Sequence, residues 1–195
     1  EVMRGKQRER TVALDQLAGI GVGIGPGLFT GLRVGVTTAK VMAQALRIPV
    51  VGLASLDLLA YPLRHARGRL IAAVIDARRK EVFTALYRPV PGGVQRVSEY
   101  EVGSPARLAA DLDARGEDTL LAGEGALLYA AEFDGLEHVE HAGPGFAAPS
   151  AAALIALTTA RMEQEEFVQA GDLVPLYLRQ SDAELSWGPT RSEKR

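Results

Sequence analysis

The chain has 195 residues, 47% of them apolar, with 22 basic against 24 acidic side chains and a formal net charge of −2. That length supports one domain or two small lobes with a core of their own, and the near-balanced charge gives the chain alone no electrostatic means of clamping nucleic acid. No apolar run approaches the roughly 20 residues of a membrane-spanning helix, and the lack of cysteine excludes disulfides, thiolate metal sites and cysteine nucleophiles, in keeping with a cytoplasmic protein.

Leu17–Gly23 alternates apolar residues with glycine and breaks at Gly25-Pro26-Gly27, which predicts a buried strand and a tight turn. Thr30 is placed to cap a helix from Gly31 to about Leu46, closed by Ile48-Pro49 because the residue before a proline avoids helical backbone. Val50–Leu53 reads as a short buried strand, and Ser55 as the cap of a helix reaching about His65. Strand, helix, strand, helix in this order predicts a parallel, layered α/β arrangement. The pattern changes after Arg67-Gly68-Arg69, so Gly68 is the predicted boundary between a first lobe, residues 1–68, and a second, residues 69–195.

In the second part, Leu70–Ile75 and Val82–Tyr87 are predicted strands joined by Asp76–Glu81, with a third strand over Val94–Val102. Ser104-Pro105 opens a helix in the favoured order of cap and then proline. Thr119–Ala122 reads as a strand that ends in a Gly123-Glu124-Gly125 loop, and Pro149-Ser150 opens a long helix from Ala151 to about Phe167. An apolar run, Leu173–Arg179, leads into a polar tail predicted to be loose from Ser186.

Two readings compete for the glycine-rich segment that holds Gly19, Gly21, Gly23, Gly25, Gly27, Gly31 and Gly35. One is an anion cradle at a helix start, with Gly25 and Gly27 presenting bare backbone to a nucleotide phosphate. The spacing matches neither common template: the first lysine, Lys40, lies inside the helix, and Leu28 stands where the third glycine of a dinucleotide loop belongs. The other reading is close packing. Gly31, Gly35, Ala39 and Ala43 recur every four residues, a ridge of small side chains that lets a neighbouring helix approach, and two glycines inside a helix cost roughly 1 kcal/mol each relative to alanine. Asp76, Arg78 and Arg79 form the second candidate constellation, a carboxylate at a strand end with cations beside it, against the alternative of a charge-balanced turn. His138 and His141 have the spacing of two metal ligands but lack a third, and no serine sits in a nucleophile elbow.

The stretch GIGPGLFTGLRVGVTTAK, from Gly23 to Lys40, resembles the TsaB (YeaZ) family. The likeness continues through Ile48–Leu56, Ile75–Phe83, Gly123-Glu124-Gly125 and Val174–Arg179, in the family's order. The resemblance implies an actin-like or sugar-kinase-like fold of two ribonuclease-H-type lobes. It also implies a place in the machinery that forms N6-threonylcarbamoyladenosine beside the anticodon of tRNA. The role implied is that of a non-catalytic partner: it pairs with a TsaD-like catalytic subunit, a TsaE-like ATPase joins the pair, and tRNA is met only through the complex. ATP and metal are then expected on the partner subunits and neither on this chain alone, with self-pairing when the partner is absent. The implied contact surface is Thr30, Gly31, Leu32, Gly35, Ala39 and Ala43. The family's opening aspartate-bearing strand, two further strands and a helix have no counterpart before Leu17, so the first lobe is expected to be N-terminally truncated. The competing expectation is a stand-alone ATP-dependent phosphotransferase of the same fold, built on the glycine loop and Asp76.

Overall fold

The computed structural model describes residues 13–179, so the tail predicted to be loose from Ser186 lies outside the described residues. The first part is built on two parallel strands, β1 (Ile20–Gly25) and β2 (Val50–Ala54), connected through the 18-residue helix α1 (Phe29–Leu46). On one face α1 packs with Val36 and Ala43 against Val50 and the isoleucines of β1. On the other face lies α5 (Ala151–Glu163), whose Ala153, Leu154, Leu157 and Met162 meet Val51, Leu53 and Leu58. Among the described residues, β1 pairs with β2 alone.

The second part is a six-stranded sheet. A long hairpin, β3 (Leu70–Arg78) and β4 (Glu81–Val90), is extended by parallel β7 (Thr119–Ala122) and β8 (Val139–His141) beside β3. Beside β4 lie antiparallel β5 (Gly93–Arg96) and β6 (Glu101–Gly103). β3 is apolar nearly throughout because both of its faces are covered. Ile71, Ala73 and Ile75 meet Leu56, Leu59 and Leu63 around α2 (Ser55–Ala60). Leu70, Ala72 and Val74 meet Leu108, Ala109 and Leu112 of α3 (Pro105–Arg115) and Ala126 of α4 (Glu124–Leu128). Leu58 of α2 belongs to the first part's core while Leu56 and Leu59 belong to the second's, so this short helix is the wedge between the sheets.

Several expectations change. α1 begins at Phe29 with Leu28 at its cap position, so Thr30 lies inside the helix and makes no cap. Side-chain contacts accompany that first turn instead: within the helix the Arg33 guanidinium lies 3.9 Å from the centre of the Phe29 ring, and from outside it Tyr177 packs on the same ring at 5.4 Å. Ser55 is likewise the first residue of α2 rather than its cap, and regular helix ends at Ala60. The predicted third strand is two strands, because Ser98 Oγ accepts the Leu86 N–H where a backbone carbonyl would have continued the ladder. Glu124 and Gly125 are not a loop but the first residues of α4, with Gly123 at the cap position and Gly125 against the backbone of Ile75 and Asp76. Ser104 does cap α3, accepting the Arg107 N–H at 3.2 Å.

Gly68 separates the two sheets, but residues 151–179 do not stay with the second. After α5, Val168 exchanges both backbone hydrogen bonds with Val50, Leu173 enters the α1–β2 core, and Leu176 donates its N–H to Ile24. The reversal that brings Val168 back to β2 also ends α5 at Glu163, short of the predicted Phe167.

Candidate functional site

The glycine-rich segment divides by what each glycine meets. A Cβ on Gly19 would collide with Met162, and one on Gly21 with Thr158, so these glycines let α5 lie close on β1. Gly25 is buried at φ +108°, where a Cβ would sit 2.9 Å from the Leu176 carbonyl oxygen. A methyl group added to Gly31 or Gly35 would meet nothing within 4 Å, and both glycines face outward from α1.

The ridge predicted along α1 therefore does not share one face. Each four-residue step advances about 40° beyond a full turn, so three steps swing roughly a third of the way around the helix. Gly31 and Gly35 lie outside, whereas Ala39 is 5% and Ala43 1% exposed, inside the chain's own core. This corrects the expectation that Ala39 and Ala43 face a partner. Leu32 is half-buried and turned to a cavity described below. The outer face of α1 consists of Thr30, Gly31, Val34, Gly35, Thr38, Val41, Met42 and Ala45, all uncharged. Val34 is 63% and Val41 61% exposed, an unusual load of bare β-branched surface for a helix that covers its own core on the other side. The helix's two cations lie off this face and are engaged elsewhere: Lys40 Nζ donates to the carbonyls of Gly171 and Leu173, and Arg33 stacks on Phe29.

At the first turn of α1 the surface opens into a cavity of about 420 Å³ between the glycine loop, the β3–β4 hairpin and the segment 176–179. Gly27, Asp76, Arg78 and Arg79 line it together, so the structure joins the two constellations that the sequence offered separately. Its lining mixes apolar wall with charge. Phe29, Leu32, Phe83, Leu176 and Leu178 make most of the wall, and Asp76, Arg78 and Arg179 each have a partner. Asp76, with its side chain only 9% exposed, accepts the Arg78 N–H at 2.9 Å and the Tyr129 hydroxyl at 3.2 Å, and pairs with the Arg78 guanidinium at 3.2 Å. Arg179 pairs with Glu81 and donates to the Ala77 carbonyl. The hairpin turn is Arg79-Lys80, at φ 56° and 60°, so side chains project where close phosphate binding wants glycine. Both strands extend further than predicted, to Arg78 and from Glu81.

Sequence reasoning passed over a polar knot on the wedge helix. Tyr87 and Tyr100 both donate their hydroxyls to Asp57 Oδ1, at 2.7 and 2.8 Å, tying α2 to the second sheet. Burial, and then the adjacent Asp57 carboxylate, raise both phenol pKa values well above the ordinary tyrosine range. The two histidines of the metal-like spacing have other contacts: His138 Nε2 lies 3.1 Å from the Leu112 carbonyl oxygen and His141 stands edge-on to Phe133. Among the described residues no cluster of three or more His, Cys, Asp and Glu is placed to hold a metal ion, and no helix is long and apolar enough to cross a membrane.

A helix-flanked sheet of this order, joined to a parallel glycine-rich pair, defines a mixed α/β protein of ribonuclease-H-like type whose most distinctive surface is a bare helix face. The family described as "TsaD: tRNA N6-adenosine threonylcarbamoyltransferase" matches residues 7–187. The chain is 32% identical over 180 residues to the tRNA threonylcarbamoyladenosine biosynthesis protein TsaB of Bacillus subtilis, covering 90% of this chain and 76% of that protein. With TsaB of Escherichia coli the identity is 32% over 90 residues, 46% of this chain and 39% of that protein. The solved structure of YeaZ from Pseudomonas aeruginosa superposes with a TM-score of 0.72 at 31% identity, covering 86% of this chain and 76% of the other. The chain belongs to the TsaB (YeaZ) family, within the wider TsaD-type group.

Proposed function

We propose that the chain is a subunit of the machinery that forms N6-threonylcarbamoyladenosine in tRNA, and that it acts there as a non-catalytic partner of a TsaD-like subunit. The names of its relatives support the pathway, and one observation carries the role: the outer face of α1 is uncharged, small and apolar from Thr30 to Ala45. Glycine at positions 31 and 35 lets a partner helix approach closely, and Val34 and Val41 supply apolar surface to bury. A homologous partner would bring a comparable helix, so that two related subunits bundle through like elements.

On this reading the two sheets are the halves of an actin-like pair of lobes, and nucleotide and metal are held by the partner subunits. A TsaE-like ATPase joins the pair, tRNA is reached only through the assembly, and the complex works in the cytoplasm. Self-pairing through the same face takes over when the partner is absent. The phosphotransferase alternative finds no support in the relatives or in the largely apolar cavity.

The test is binding to a purified TsaD-like subunit by calorimetry, alongside formation of the modified adenosine in a reconstituted reaction. Val34→Asp and Gly35→Leu change open surface and should leave the fold intact while weakening pairing at least tenfold and lowering product formation in step. Unaltered pairing by both variants refutes the assignment of this face.

A further inference from the structure

The cavity at the first turn of α1 has the volume of an ordinary ligand pocket, about 420 Å³ against roughly 300–1,000 Å³, and a divided lining. The apolar part is Phe29, Leu32, Phe83, Leu176 and Leu178, joined by Tyr177, whose ring packs on Phe29. The charged part comes from the end of the β3–β4 hairpin and from Arg179. Among the described residues that line it, Arg78, Arg79 and Arg179 stand against Asp76. Counting Glu81, the partner of Arg179, guanidinium groups still outnumber carboxylates three to two. A guanidinium carries five N–H donors. Arg78 meets Asp76 through Nη1 and its side chain is 68% exposed, and Arg179 meets the Ala77 carbonyl through Nη1 and Glu81 through Nη2. An added anion can therefore join these groups without breaking a pair.

We propose that this cavity binds a small organic acid, a single carboxylate on an aromatic or branched apolar body. The carboxylate meets the arginine-lined end, where planar guanidinium forks match its geometry, and the body lies on Phe29, Leu32 and Leu178. A surplus of one guanidinium suits a monoanion. The Arg79-Lys80 turn, at φ 56° and 60°, presents side chains rather than the bare backbone that wraps a polyphosphate. The walls come from the glycine loop and α1 of the first part and from the hairpin of the second. The guest thus ties the two parts together and stabilises the folded chain by mass action. The site stands independently of the partner face of α1.

Titration calorimetry and thermal melting of the full chain test this with four probes: 3-phenylpropionate, its neutral amide, acetate, and ATP with magnesium. 3-Phenylpropionate should bind with a Kd below about 1 mM and raise the melting temperature, and the amide and acetate should each bind at least tenfold more weakly. Two variants locate the site. Arg78→Gln removes an exposed guanidinium, and Gly27→Leu fills the apolar end from the loop. Gly27 lines the cavity, its φ lies outside the left-handed region, and a Cβ there would meet the Leu32 Cδ2 at 4.0 Å. Each variant should weaken 3-phenylpropionate at least fivefold. A weaker Kd for the acid, a smaller gap to the amide or acetate, or ATP bound more tightly than the acid overturns the proposal. So does a folded variant that binds the acid within fivefold of wild type. The comparison of probes uses the unaltered chain, so a variant that fails to fold does not blunt the test.

Discussion

Replacing Gly21 with alanine tests the claim that this glycine exists for close packing of α5 on β1. The new Cβ would lie 3.0 Å from both Cβ and Cγ2 of Thr158, with Oγ1 closer still. Turning the threonine about χ1 does not clear the overlap, because its own Cβ stays at 3.0 Å. Relief requires α5 to lift by several tenths of an ångström along a seam that includes Leu154, Leu157 and Met162. Overpacking of this kind costs about 1–3 kcal/mol, and this case belongs in the upper half because three atoms are crowded at once. Thr158→Ala removes both γ atoms together with a buried hydroxyl that has no hydrogen-bond partner, so by itself it should be near neutral or mildly stabilising. In that background Gly21→Ala should cost about 1 kcal/mol less than in the wild-type chain, a coupling that a double-mutant cycle resolves. Urea denaturation followed by circular dichroism on the four proteins supplies the numbers. Equal costs of Gly21→Ala in the two backgrounds would refute the packing account and reopen the loop's other reading.

The wedge helix and the cavity edge carry two more expectations. Because Tyr87 and Tyr100 hold their protons more tightly in the folded state, above pH 10 the unfolded chain loses protons that the folded chain keeps. Stability should therefore be full below pH 10 and fall as pH rises, by up to about 1.4 kcal/mol per pH unit for each tyrosine; Tyr87→Phe with Tyr100→Phe should flatten that alkaline limb in melts between about pH 9 and 11.5, and an unchanged slope contradicts the assignment. At the hairpin, Lys80 sits at φ 60°, a conformation that costs a non-glycine residue about 1–2 kcal/mol. Lys80→Gly should stabilise by up to about 1 kcal/mol after the greater entropy lost on folding is subtracted, visible as a melting temperature a few degrees higher; a lower one counts against strain at the turn.

The strand–helix–strand order, the Ser104-Pro105 helix start and the strand at Thr119 were legible because each rests on local pattern or turn chemistry. Thr30 and Ser55 misled for a common reason: both have the right side chain for a cap, yet Phe29 stacking and the burial of Leu56, Leu58 and Leu59 start the helices one or two residues earlier. The small residues 31, 35, 39 and 43 do not form a straight ridge, because the helix's own pitch carries the second half inside. A projection at about 100° per residue would have placed Val34, Thr38 and Val41 on the outer face from sequence alone. The path of residues 151–179 back to β2, and the meeting of Asp57 with two tyrosines 30 and 43 residues away, depend on long-range packing that no short window encodes.

With glycine at positions 21, 23 and 25, and only β2 beside it among the described residues, β1 offers its other margin as nearly naked main chain. Side chains ordinarily tell an incoming strand which rung to take, and glycine-rich strands withhold that instruction. A strand laid along this margin would be aligned chiefly by its connections and by what α1 and α5 allow above and below.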